Sequence, residues 1–382
     1  MSLESLIAIS RHFGGNPEYI LAGGGNTSWK EGHTMYVKAS GMSLADADRD
    51  SFAALDRRAL ALIWEKRYPE SSAERESAVL ADMTAALITG GVSAAAQKRP
   101  SVETLLHDLL PFAFAVHLHP ALVNGVCCSR QGESAINDIF ADDALWIASC
   151  NPGYELAKTA QAATAGFRAL HGKAAAVIFM QNHGVFAAGA CVNCIKALYS
   201  EIMQKIGARV RRRPDFSGVK RWNCGDAPAG LAKIMAAVAE ISGGAVQAAQ
   251  GGEFSALLQD RAAFAPVASP FTPDHIVYAG SDPLFVECPA GAAPEKEALQ
   301  EAWASHVQAK GRKPKIIAVQ GEAILSAAPT EKAAGLALDL FKNAVEVSVY
   351  ADSFGGPLHM DNDKKDFINN WEAESYRLHS SA

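Results

Sequence analysis

The chain has 382 residues, of which 49% are apolar and 20% charged, with 35 Lys and Arg against 41 Asp and Glu. At roughly 150 residues per domain this length predicts two or three domains with a sizeable core, and the mildly acidic balance excludes a disordered chain and gives nucleic acid no footing. No apolar run approaches the roughly 20 residues that a bilayer span needs, the opening MSLESLIAISRHFGG lacks the pattern of a secretory leader, and the seven cysteines are an odd number, so the expectation is a cytoplasmic chain with reduced thiols and no membrane partner.

In chain order, SLESLIAISRHF places Leu3, Leu6, Ile7 and Phe13 at near-helical spacing and ends at Gly14-Gly15. YILAGGGNTSWKEGHTMYVKASG reads as two short strands beside a glycine cluster, and SFAALDRRALALIWEKRY and AVLADMTAALITGG read as helices. FAFAVHLHP is a strand, and ALVNGVCCS starts a helix. AAAVIFMQNHGVFAAG is a strand, a turn and a strand, followed by the helix CIKALYSEIMQKIGARV, on one face of which Cys191 and Cys194 are expected to pack at i, i+3. That C-x-x-C has no second pair to complete a tetrahedral metal site. Strands alternating with helices predict a layered α/β domain.

From Arg211 to Gly225 the texture turns to charge, Pro and Gly, and the basic run Arg209–Arg213 before Pro214 reads as a solvated helix end or hinge rather than a nucleic-acid arm. A boundary here divides the chain into domains 1–225 and 226–382. The second carries the helix AGLAKIMAAVAEISGG, strands at HIVYA, PLFVE and KIIAVQ, and the long helix TEKAAGLALDLFKNAVEV. VIFMQNHGVFAAG from Val177 and IIAVQGEAILSAA from Ile316 share a pattern, and aligned on Gln181 and Gln320 they set His183 opposite Glu322. The second domain can thus be read as a degenerate repeat, although any two strand-turn-strand units look alike.

Side chains of a strand alternate faces, so His117 and His119 project from one side about 6 to 7 Å apart, within the span of one ion's shell. A tetrahedral zinc site needs a third ligand, and His183, at the end of the other strongly apolar strand, is the best-placed candidate. Any one of these histidines, taken alone, reads equally well as a buried, hydrogen-bonded core residue. Three together at strand ends require a charge partner or a metal. Glu103 reads either as an acidic residue at a helix N-terminus or, beside a metal, as a proton-transfer group, and His107 as a supporting or structural residue. GGGNTSWK, Gly23 to Lys30, offers backbone N–H groups with Asn26, Thr27 and Ser28, and KASG, Lys38 to Gly41, is a second small polar loop. Each alone is a turn. With a metal site they point to a phosphorylated substrate.

GGGNTS, VKASG, RPSVETLLH, VHLHP and QNHG, in that order, resemble the class II aldolase/adducin family. PSVETLLH is most similar to the aldolase part of bifunctional rhamnulose-1-phosphate aldolase/short-chain dehydrogenase proteins, and TPDHIVYAGSDPLFVE to the segment after it. The dehydrogenase half is expected to be absent. The resemblance implies a three-layer α/β/α domain with a mainly antiparallel central sheet, plus a smaller α/β C-terminal domain, commonly assembled as a homo-oligomer, a tetramer in much of the family. It implies one Zn²⁺ per chain on His117, His119 and His183, Glu103 as acid/base, and Asn26, Ser28, Ser40, Gly41 and Ser101 on the phosphate of a small-molecule sugar phosphate. One departure concerns recognition: where many members have a second serine after Ser101, this chain has Val102. The implied reaction is aldol cleavage of a ketose 1-phosphate. Epimerisation or decarboxylation on the same scaffold and a non-catalytic adducin-head-like module are the alternatives.

Overall fold

The computed structural model describes residues 2–88, 98–288, 293–373 and 376. It separates into two compact units, one built from Met1–Cys127, Gln131–Arg209 and Asn370–Ser381, the other from Cys128–Arg130 and Val210–Asn369. The second unit therefore begins at Val210 rather than Asp226, because Lys220–Asn223 is a strand of its sheet. Among the described residues after Asn369, the first unit takes in Trp371 and Ala373, which are buried, and Glu372, which pairs with Arg99.

Among the described residues seven strands form the sheet of the first unit: β1 (Asn26–Glu31), β2 (Thr34–Lys38), β3 (Phe52–Asp56), β4 (Phe114–Leu118), β5 (Ala144–Ile147), β6 (Val177–Met180) and β7 (Gly184–Gly189). Their order is β3-β2-β1-β4-β7-β6-β5, antiparallel throughout except for the pair β5 and β6. That parallel pair needs a crossover, which the helix Tyr154–His171 supplies before ending at Gly172 in the left-handed conformation. Alternation along β4 decides the layers. Ala115 faces a core with Leu106, Leu156, Ile178 and Phe186, while Thr27 on β1 turns the other way to meet Ser10 of the helix Leu3–Gly14. On that second face Phe13 packs against Tyr199 of the helix Val192–Gly207, with ring centroids 4.8 Å apart. The result is the expected three-layer domain around a mostly antiparallel sheet.

Some local expectations change. SFAAL opens as β3 rather than helix, since it pairs along β2, and Asp56 accepts the Arg58 N–H to start the helix only at Arg57–Ile63. In AVLADMTAALITGG the helix ends at Ala85, and residues 89–91 lie outside the described residues. HIVYA is a π-helix, His275–Ala279, not a strand. Cys191 precedes the helix as its N-cap instead of lying on its face, and it is disulfide-bonded to Cys194.

The second unit has five strands among the described residues: β8 (Lys220–Asn223), β9 (Ala245–Gln250), β10 (Leu284–Val286), β11 (Ile316–Val319) and β12 (Ala323–Ala328). Their order, β10-β11-β12-β9-β8, with only β10 and β11 parallel, reproduces β5-β6-β7-β4-β1 strand for strand. The likeness reaches single bonds. Gln181 takes its N–H to Ile147 and its side-chain oxygen accepts the Ser149 N–H; Gln320 does the same with Val286 and Cys288.

Candidate metal centre

β4 lies between β1 and β7, and this placement assembles the site. The β1 register sets Asn26 directly opposite His117, and the β7 register sets Val185 opposite Leu118. His119 follows β4 by one residue and is held by its N–H to the Tyr19 carbonyl. His183 sits in the turn between β6 and β7, behind Asn182, whose φ of 57° is the left-handed conformation that Asn tolerates better than most residues. Gly184 then lets this turn close on β4: a Cβ there would stand 2.6 Å from the Leu118 carbonyl oxygen and 2.6 Å from His119 Cδ2.

One ligand atom from each of His117, His119 and His183 lies within 4.8 Å of the others, which makes the three a group able to hold a metal ion. His117 is fully buried. Its Nδ1 donates to the Val185 carbonyl at 3.1 Å, which leaves the Nε2 lone pair facing inward, 2.8 Å from His119 Nε2. Tyr199 braces the same ladder by donating to the carbonyls of Val116 (3.0 Å) and Val185 (3.1 Å).

Glu103 stands just before the helix Thr104–Leu109 but makes no cap bond to it. Its Oε2 accepts the Asn26 amide at 2.5 Å, while Oε1, buried and without a hydrogen bond, faces Nε2 of His183 at 3.2 Å and of His117 at 3.5 Å. Burial opposes the charge on Glu103, and the Asn26 amide at Oε2 favours it. Burial holds His117 well below the ordinary imidazole value, hence neutral. A carboxylate oxygen with no donor, set beside the Nε2 lone pair of His117 and the ring nitrogens of His119 and His183, is a donor set that fits a cation, and imidazole nitrogens favour a transition metal over Mg²⁺ or Ca²⁺.

Behind the carboxylate runs a chain of bonds that fixes Asn26. Its Oδ1 can only accept, so His107 Nε2 carries the proton, and His107 Nδ1 accepts from the Ser28 hydroxyl at 2.7 Å. Burial pushes His107 down to about 3, so the ring stays neutral. The Asn26 amide nitrogen bonds Glu103 and, at 3.4 Å, Ser101 Oγ. Ser28, with no exposed surface, is thereby committed to His107.

Ser40 and Gly41 come beside Ser101 because the Ser40 N–H bonds the Arg99 carbonyl and Ala39 bridges Pro100. Both are partly exposed, and Gly41 has a φ of 81°. Lys38 ties this loop to the glycine cluster, donating to the Gly23 (3.1 Å) and Met42 (2.7 Å) carbonyls. The roles of Lys38, Tyr199 and Gly184 as supports had no periodic or spacing signal in the sequence. His107 had one, its position four residues after Glu103, which faces the same side of a helix.

Residues 4–203, more than half of the chain, match the class II aldolase and adducin N-terminal domain. The chain belongs to that class II aldolase/adducin family. A curated relative, the uncharacterized oxidoreductase YuxG of Bacillus subtilis (strain 168), is 24% identical over 423 aligned positions, covering 98% of this chain and 58% of the relative, so this family member spans little more than half of that protein's length. Among solved structures, the N-terminal class II aldolase domain of a conserved protein from Thermoplasma acidophilum is 22% identical, covers 55% of this chain and 93% of that one, and has a TM-score of 0.46. The L-fuculose-1-phosphate aldolase of Thermus thermophilus is 16% identical, with coverage of 54% and 92% and a TM-score of 0.32. Within the matched residues the three histidines group together, and two of them, His117 and His183, face the Glu103 carboxylate. Among the described residues no helix is long and apolar enough to cross a membrane.

Proposed function

We propose that this chain is a zinc-dependent aldolase that reversibly cleaves a ketose 1-phosphate into dihydroxyacetone phosphate and an aldehyde. The observation that carries this reading is the grouping of the His117, His119 and His183 nitrogens beside Glu103 Oε1, a buried carboxylate atom that faces those of His117 and His183 and has no donor of its own. Zinc held by the three imidazoles would polarise the substrate's carbonyl and neighbouring hydroxyl oxygens and offset the negative charge that develops when the carbon–carbon bond breaks. In condensation the Glu103 carboxylate would take up, through Oε1, the proton of the carbon beside the carbonyl; in cleavage the same carboxyl, protonated from solvent, would return a proton to that carbon while the proton of the cleaved hydroxyl passes to solvent. Asn26, by holding Oε2, leaves Oε1 free for this transfer. The substrate phosphate would lie on the backbone of Ser40 and Gly41 and the hydroxyl of Ser101, with Asn26 and Ser28 positioning Glu103 and His107 behind it. Val102 brings no hydroxyl, which favours a substrate whose phosphate needs fewer side-chain donors.

The second unit is read as a degenerate copy that has lost the chemistry. Ala248 and Gln250 stand where His117 and His119 would be, and Glu322 where His183 would be. One metal per chain follows. A homo-oligomer in the cytoplasm, tetrameric by the family resemblance, completes the reading.

The test is metal content by elemental analysis of wild type and His117→Ala, paired with dihydroxyacetone phosphate release from a panel of ketose 1-phosphates. Zinc near one per chain, lost in the variant, with cleavage of a panel member is the expected result. Zinc without cleavage would move the reaction to epimerisation or decarboxylation, and a protein unable to take up metal would leave a binding module.

A further inference from the structure

We propose that Cys191 and Cys194 form a redox-active dithiol that exchanges with small-molecule disulfides of the glutathione kind, a site independent of the aldolase reading. The pair lies at the start of the 16-residue helix Val192–Gly207, joined by a disulfide with Cα atoms 5.2 Å apart. Two features separate it from a structural staple. The bond spans only three positions, and short loops gain least from closure. It is also accessible, with Cys194 exposed and Cys191 half-buried, whereas Cys127 and Cys128 are buried in the core.

The chemistry of the pair is asymmetric. Cys191 is the N-cap, and its sulfur accepts the Cys194 N–H at 3.1 Å. In the reduced protein that N–H and the positive end of the helix would favour thiolate at Cys191, as at other cysteines placed at helix starts. Cys194, three residues on, is the resolving thiol. The Cys191 thiolate attacks one sulfur of the small disulfide, the old S–S bond breaks, and one thiolate leaves and takes up a proton from water. Cys194, losing its proton to solvent, then attacks the Cys191 sulfur of the mixed disulfide and expels the second thiolate. Two protein thiols and one disulfide become one protein disulfide and two small thiols, so electrons and protons balance. The reverse steps open the bond when the small thiol is in excess.

The experiment equilibrates the full chain in glutathione buffers of stepped oxidised-to-reduced ratio, quenches with acid, and reads the peptide holding both cysteines by mass spectrometry. The pair should pass from dithiol to disulfide within the series and carry no lasting adduct, whereas Cys194→Ser should accumulate glutathione on Cys191. In the reduced protein Cys191 should alkylate at pH 7 roughly tenfold faster than the exposed Cys224, which is not at a helix start. Cys194→Ala serves as a second resolving-thiol variant, with urea unfolding as the check that both variants fold. A bond that stays closed in the most reducing buffer, a pair that never closes in the most oxidising one, or a Cys191 no more reactive than Cys224 would each overturn the proposal.

Discussion

Gly184 and His107 show how single residues set the geometry of the centre. The Cβ of Gly184→Ala would press on a backbone carbonyl, Leu118 O, which cannot rotate away, so the turn carrying His183 must shift. Gly184→Ala is expected to fold but to lose stoichiometric metal uptake, measured by elemental analysis after zinc loading; full uptake would mean that the turn has slack the structure does not show. His107→Ala strands the Ser28 hydroxyl and the Asn26 carbonyl in a buried pocket. Leaving two buried polar groups without partners and opening a cavity costs about 3 kcal/mol, to be read from urea unfolding. Cleavage should fall as well, because Asn26 would no longer hold Glu103. Retained stability would show that water replaces the ring.

At the scale of elements, Glu372 and Tyr376 work as a strap on the first unit. The Arg99 guanidinium is gripped by both oxygens of Glu372 at 2.8 and 2.6 Å, and the Tyr376 ring lies 4.6 Å from it. Close by in sequence to the strap, Trp371 reaches the Gly153 turn, where Glu76 Oε2 accepts the Tyr154 N–H at 2.9 Å. Burial pushes the Glu76 carboxyl up to about 7, with the Tyr154 N–H and Arg75 opposing it. A folded value above the unfolded one means that the native state keeps a proton the unfolded chain releases, so stability falls as pH rises from about 4.5 through about 7. The loss is at most about 3 kcal/mol, and Glu76→Gln, which keeps an acceptor for Tyr154, should flatten it. Unfolding midpoints of both proteins at intervals across that window decide the matter; parallel curves would sink the assignment.

At the scale of the whole molecule, two units share a strand order while only one keeps histidines at the strand ends. Metal binding should therefore act on the first unit alone. A ligand present at 100 times its dissociation constant adds about 2.7 kcal/mol to the stability of the state that binds it. Chelation is expected to lower the thermal midpoint of the first unit's transition, zinc to restore it, and His117→Ala to remove the response, as followed by calorimetry. A zinc response surviving in that variant would place the ion elsewhere.

How much of this was legible beforehand differs by residue. Glycine spacing, the His-x-His at a strand end, and Gln-Asn-His-Gly announced the histidines and the family, because a strand's two-residue period and the needs of a tight turn are local properties. Local information misled at SFAAL and HIVYA. Pairing along β2 overrode helical spacing in one, and a π-helix replaced the β-rich strand pattern in the other. The boundary near Gly225 followed composition, yet pairing of β8 with β9 drew the preceding residues into the second sheet.

The sequence by itself determined which residue types stand at strand ends and in turns, and hence the family and the candidate ligands, since these depend on neighbours a few positions away. Only the tertiary structure decided that Asn26 lies opposite His117, that Ser28 serves His107 rather than open solvent, and that Glu103 Oε1 faces the histidines without a donor. Those facts arise from which strands pair and which helix covers them. Contacts between residues far apart in the chain are set by the packing of the whole sheet, and no local period encodes them.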